Sequence, residues 1–430
     1  MLFSKPTTES TRHYYSKDKL FEKSLDIYKP IDNDNNKGAK DDASKEEDLP
    51  IVILVVGSGW VGHRAFVYAG TSWWNSSGPK TIASLGTTCV CIRHRGAFCV
   101  LPQREVVVQY LTLLFATVGA ITGGHWDVAL AVTVPLAVLL ILLALGGRGS
   151  ATLDDMLEDV VEAIQWIDSH RDLLELHSSS SVPTTTSTSV VGKKDSMDST
   201  QSQTTIPSET STTLSASTGS SDLSCSDNGN TKEQPMEPAT DASRNPRAAT
   251  PMVFGGYSSG GHVATTLLHQ PKRFQKHGLS PPEELFQGIL VISGMMAVRP
   301  ERITVQDCKT QQPITIATPS GLPTFLTNLV LQTVWGAETA KHIPSPLTQA
   351  RPPPALPHLL VGCRNEMFGL NWLDVYFCSA EYRDKVQALT GQVAKYVQVE
   401  SDHWNVLSST ALRNALQEEL PQLVGAKNPD

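Results

Sequence analysis

The chain has 430 residues, a net charge of −8 and 40% hydrophobic side chains. At about 100–200 residues per domain, this length holds two or three domains, or one large domain with insertions, and buries a core without disulfide or metal staples. The mild acidity counts against a nucleic-acid binder, which carries a basic patch. Seven cysteines, an odd number with no C-x-x-C, count against a disulfide scaffold or a zinc module and suit a reducing compartment. The N-terminal MLFSKPTTESTRHYYSKDKL lacks the apolar core of a secretory signal.

Residues 1–48 are polar and charged and read as a flexible lead-in. Within it LDIYKP (25–30) alternates like a short strand. IVILVVG (51–57) is a β-branched run, the pattern of a strand buried in a parallel sheet, and TTCVCI (87–92) reads as a second. These place the first part of an α/β domain at 49–105.

Residues 106–147 differ. Between Glu105 and Arg148 the only charged side chain is Asp127. The apolar runs 106–122 and 128–146 would span about 25–29 Å as helices, near the bilayer hydrocarbon thickness. GGHWD (123–127) makes the turn between them. A transmembrane helical hairpin is the expectation, against a buried helical pair in a soluble core. Arg93, Arg95 and Arg104 before it and Arg148 after it put both ends on the cytosolic side. This predicts a multi-pass protein of an endomembrane such as ER or Golgi, with its catalytic domain facing the cytosol.

TLDDMLEDVVEAIQWIDSHRDLLEL (152–176) is an amphipathic helix, with Met156, Val160, Ala163, Ile164 and Ile167 on one face; it belongs to the stretch 148–177. Ser and Thr fill 31 of the 71 positions 178–248, where no aromatic residue occurs. Such a segment buries too little apolar surface to order itself, so a disordered insertion open to phosphorylation, and to a phospho-dependent partner, is expected. From 249 to 425 strands alternate with helices: strands at 251–257, 286–296, 357–363 and 394–400, and helices at 262–270, 376–391 and 409–424. That alternation predicts a mostly parallel sheet with helices on both faces.

Gly256-Tyr257-Ser258-Ser259-Gly260 is a G-x-S-x-G sequence between a predicted strand and a predicted helix. There a tight turn would lift the Ser258 hydroxyl over the sheet edge as a nucleophile. An alcohol needs a base. His403, between the last strand and the last helix, falls at the same carboxyl edge of the sheet. An acid to orient the imidazole is expected after the 357–363 strand. There Asn365 stands where Asp is usual, Glu366 is the chosen acid, and Asp374 is the other carboxylate nearby. Oxyanion donors are expected from the backbone of Ser259 and of Ser58 and Gly59 in the loop Gly57-Ser58-Gly59-Trp60. The spacing Gly57-x-Gly59-x-x-Gly62 also fits a phosphate cradle. No acidic residue about twenty positions on completes a dinucleotide site.

LDIYKP, the strand with GSGW, EDVVEAIQWI, GYSSGGHVA, SPLTQARPPPALPHLLVG and SDHWNVL occur in an order that resembles the α/β-hydrolase superfamily, esterase/lipase branch. Within it the chain is similar to isoprenylcysteine methylesterase-like and feruloyl-esterase-like hydrolases. The resemblance covers about 48–105, 149–177 and 249–425. It departs at the HGGGW-type loop, where Val56 replaces His and Ser58 a Gly, and at Asn365. After TTCVCI, His94-Arg95-Gly96 replaces a D-Y-R-like turn. The resemblance implies an α/β-hydrolase fold interrupted by the hairpin and the Ser/Thr-rich insertion, and a membrane-anchored serine hydrolase cleaving a carboxylic ester. A prenylcysteine methyl ester would suit the anchor, and no metal or organic cofactor is required. The rivals are a carboxylesterase or aryl-formamidase acting on small substrates, and an inactive hydrolase-like interaction protein.

Overall fold

Apolar runs with β-branched side chains line up side by side. In the computed structural model, which describes residues 8–31, 49–60, 72–97, 123, 151–174, 250–319, 324–366 and 376–425, the strands are β1 (Thr8–Tyr14), β2 (Ser24–Pro30), β3 (Ile51–Val55), β4 (Cys89–Ile92), β5 (Met252–Tyr257), β6 (Gly288–Ile292), β7 (Arg302–Gln306), β8 (Pro313–Ala317), β9 (His358–Asn365) and β10 (Ala394–Asp402). Eight form one sheet in the order β1-β2-β4-β3-β5-β6-β9-β10, and β7 and β8 make a separate hairpin. From β4 to β10 every neighbouring pair is parallel; β1 and β2 join antiparallel. This mostly parallel sheet, with its flanking helices, fits the α/β-hydrolase fold. All these elements belong to one compact unit.

The longer helices are α1 (Ser72–Ala83), α2 (Leu153–Ser169), α3 (Ser259–Leu268), α4 (Thr324–Trp335), α5 (Ser379–Thr390) and α6 (Thr410–Gly425). Thr152 caps α2 with a reciprocal capping box to Asp155. The period-2 pleat sends alternate strand residues to opposite layers. On one face Ile51, Ile53, Phe254, Ile289 and Leu360 pack with Met156, Val160 and Ile164 of α2 and Val263 of α3. On the other, Val52, Leu54, Val253, Leu290 and Val361 pack with Ile82 of α1 and Leu412, Leu416 and Leu420 of α6.

The lead-in expectation needs correction. Thr8–Tyr14 is a strand, paired along its whole length with β2. Its side chains are polar, so periodicity does not betray it. It forms because β2 offers an open edge, and because Asp26 on β2 pairs with Arg12 of β1 and with the buried Arg93. Burial opposes the charge of Asp26, yet the two guanidinium groups hold its carboxyl below the usual range. The departure at His94-Arg95-Gly96 also has a structural use. Arg95 forks onto the buried Asp159 of α2, Nε and Nη2 each 2.9 Å from a carboxylate oxygen, and so ties the β4 edge to that helix.

Apart from Gly123, the hairpin expected at 106–147 lies outside the described residues, as does the insertion at 178–248. Among the described residues no helix is long and apolar enough to cross a membrane.

Candidate active site

Ser258 sits between β5 and α3 with φ 56° and ψ −129°. A left-handed φ on a non-glycine residue costs about 1–3 kcal/mol and persists only when its surroundings enforce it. Here the Ser258 N–H donates to Ile292 O at 3.2 Å, and its carbonyl accepts from Met295 N at 3.2 Å and His262 N at 3.3 Å. The motif glycine on the far side of the turn is a matter of space. A Cβ on Gly260 would lie 2.2 Å from Val55 O, so only glycine lets α3 start this close to β3. The elbow therefore presents Ser258 Oγ at the positive end of a helix.

His403 follows β10. Its Nε2 lies 2.9 Å from Ser258 Oγ, and its Nδ1 lies 3.1 Å from Glu366 Oε2. Ser258, His403 and Glu366 are all buried. Glu366 ends the strand region of β9, one residue past Asn365, and accepts from Cys363 N–H at 2.8 Å through Oε1. The side chain of Asn365, the position where an Asp was expected, is exposed. Asp374 lies outside the described residues. With Glu366 facing Nδ1, that nitrogen carries the proton, and the Nε2 lone pair faces the Ser258 hydroxyl, which can donate to it.

The imidazole is also held by rings. Tyr257 stacks on one side at 5.1 Å, and Phe377 approaches at 4.8 Å. The Tyr257 hydroxyl donates to the His403 carbonyl at 2.5 Å, and burial pushes its pKa up, so it stays a neutral donor. Tyr257 was visible only as the variable position of G-x-S-x-G; nothing in the sequence links it to a residue 146 positions on. Ser293 was missed as well. It directly follows β6, is fully buried, and its hydroxyl lies 2.6 Å from Glu366 Oε1.

The oxyanion loop differs from expectation. Gly57 is the residue that must be small, since a Cβ there would meet Ser258 Cβ at 2.5 Å. The Ser58 N–H does not point to open space; it donates to Ser259 Oγ at 2.9 Å, and the Trp60 N–H donates to the same oxygen at 3.3 Å. Ser58 is thereby removed as a substrate donor, because its one backbone proton is already used. Gly59, at φ +59°, lies between them. The Ser259 N–H is the first of α3 and has no carbonyl four residues back within the helix. Trp60 Nε1 donates to His262 Nδ1 at 3.3 Å, and His262 Nε2 donates to Pro344 O at 2.8 Å. Burial lowers the His262 pKa to about 4, so the ring is neutral and can accept from Trp60. Among the described residues no group of three His, Cys, Asp or Glu is placed to hold a metal ion.

No family model matches the chain, and no curated protein matches it. Solved structures similar to it include esterase B from Lactobacillus rhamnosis, at 11% identity and TM-score 0.48, covering 97% of this chain and 86% of that one. A truncated carbohydrate esterase from gut microbiota is 12% identical at TM-score 0.45, covering 97% and 96%. An esterase from Pyrobaculum calidifontis is 11% identical at TM-score 0.44, covering 97% and 85%. At such identities and scores these likenesses assign no role to any residue here.

Proposed function

We propose that this chain is a serine hydrolase acting on carboxylic esters. The observation that carries the reading is the buried line Ser258 Oγ, His403 Nε2, His403 Nδ1, Glu366 Oε2, with contacts of 2.9 and 3.1 Å. In this reading Ser258 attacks the ester carbonyl as His403 Nε2 takes its proton. Glu366 fixes the tautomer and stabilises the imidazolium. The carbonyl oxygen becomes an oxyanion held by the N–H groups of Gly59 and Ser259 at the positive end of α3. His403 then gives its proton to the leaving alkoxide, and the alcohol departs. Water, deprotonated by the same imidazole, attacks the acyl-enzyme; the acyl–Oγ bond breaks, His403 Nε2 returns the proton to Ser258 Oγ, and the acid departs.

The finer reading is a membrane-anchored enzyme of the endomembrane system, its site facing the cytosol, acting on lipid-like esters such as a prenylcysteine methyl ester. What supports it is the apolar character of 106–122 and 128–146. Anchoring would hold the site where such esters concentrate. The Ser/Thr-rich 178–248 would serve as a phosphorylated docking segment.

The test is a substrate panel on the full chain in detergent: p-nitrophenyl esters of increasing chain length, S-farnesylcysteine methyl ester and an aryl formamide. Ester turnover abolished by Ser258→Ala is expected, with preference for the prenylated methyl ester. Preference for short acyl esters or the formamide would overturn the lipid-substrate reading. No turnover of any of them by folded protein would overturn the enzymatic one.

A further inference from the structure

Resting on the ester-hydrolase reading, we propose that Ser293 is a positioning residue that holds His403 jointly with Glu366, so that the site works as a four-residue relay. Ser293 Oγ lies 3.0 Å from His403 Nδ1, against 3.1 Å for Glu366 Oε2. The hydroxyl is therefore as near to the imidazole as the carboxylate is. The same oxygen lies 2.6 Å from Glu366 Oε1 and contacts Oε2 as well. One proton arrangement satisfies every group. The Ser293 hydroxyl donates to the carboxylate, and the His403 Nδ1–H is shared between Glu366 Oε2 and Ser293 Oγ. Ser293 is fully buried, so no water competes for either bond.

The backbone supports this assignment. Ser293 has φ 45°, a conformation that glycine adopts freely and serine does not. Its N–H donates to Val361 O at 2.6 Å, which locks the strained turn against β9. A residue held in an unfavourable conformation beside reacting groups is an observation from which a role is inferred. The identity of the acid gives the reason. Glu has one more side-chain torsion to freeze than Asp. Cys363 N–H reaches Oε1 at 2.8 Å, and Ser293 Oγ reaches both carboxylate oxygens, so together they fix the carboxyl group against His403.

The test is Ser293→Gly, which deletes the hydroxyl and suits the backbone. It should melt close to wild type, while kcat on p-nitrophenyl butyrate falls about ten- to a hundredfold with KM unchanged. In a Glu366→Gln background the same change should add little, because residues acting as one unit are not additive. Ser293→Asp in that background should restore part of kcat, since it brings a carboxylate to Nδ1. Wild-type kcat in Ser293→Gly would overturn the proposal. A readout that needs no substrate separates it from the reading on which it rests. The His403 Nδ1 proton, assigned in a proton NMR spectrum by its loss in His403→Ala, should shift in Ser293→Gly. An unmoved resonance overturns the role of Ser293, whereas failure of wild type to turn over any ester overturns the hydrolase reading instead.

Discussion

Ser259→Ala probes how the oxyanion loop is held. Ser259 Oγ is the shared acceptor for Ser58 N–H at 2.9 Å and Trp60 N–H at 3.3 Å, and Ser259 is fully buried. Alanine keeps the helix and the Ser259 N–H but leaves two buried donors unpaired. An orphaned buried donor costs about 1–3 kcal/mol. Because the second bond is long, a total of about 3 kcal/mol is expected, or roughly 4–6 °C in Tm at about 2.1 cal/mol/K of unfolding entropy per residue. The loop would then shift to find other acceptors, moving Gly59 from its position. Loss of one oxyanion donor lowers kcat about 10²–10³-fold. The control is Ser58→Ala in the same loop. The Ser58 hydroxyl is buried and makes no hydrogen bond among the described residues, so its removal should leave Tm unchanged or raised. Thermal melts and ester kinetics on both variants decide the matter. A Ser259→Ala protein with wild-type Tm and kcat would refute the strut.

Further outcomes are expected. Glu366→Gln keeps the shape but removes the charge that fixes the Nδ1–H tautomer, so kcat should fall about 10³–10⁴-fold with Tm little changed; steady-state kinetics check it, and a loss below tenfold would move the acid elsewhere. Gly260→Ala would press a methyl onto Val55 O at 2.2 Å; it should fail to give soluble, folded protein, and a variant melting like wild type would contradict the elbow geometry. Burial lowers the pKa of His262 and His358 to about 4 and of His269 to about 3, each from 6.5. Below pH 6.5 the unfolded chain binds protons that the folded one refuses, so stability is complete above 6.5 and declines as pH falls toward 4. By pH 5 each ring should cost on the order of 2 kcal/mol. Urea midpoints measured from pH 7 to 5 should fall steeply, and less steeply in His262→Gln; a flat profile would contradict the buried neutral rings.

The sheet was legible wherever its strands are buried on both faces, because IVILV and CVCI allow no other placement. The elbow was legible because glycines and serine at fixed spacing leave one geometry. Glu366 could be preferred over Asn365 from side-chain chemistry alone. The remainder depends on partners distant in sequence. The polar β1 is specified by the open edge of β2 and by Arg12 facing Asp26. The β7–β8 hairpin has the alternation of RITVQ, but its exposed face gave no apolar signal. Ser58 looked like a donor because its spacing fits, and only the hydroxyl of Ser259, 201 residues away, shows its N–H to be taken. Ser293 carries no local signal, since its left-handed backbone is imposed by β9.

The proposed chemistry depends on the activation of Ser258 by His403. Full-length protein in detergent, treated with a fluorophosphonate probe and mapped by mass spectrometry, tests it most directly. A single adduct on Ser258 is expected, absent from Ser258→Ala and lost or greatly slowed in His403→Ala. Folded wild-type protein that takes no label, or an adduct on another serine, would contradict it.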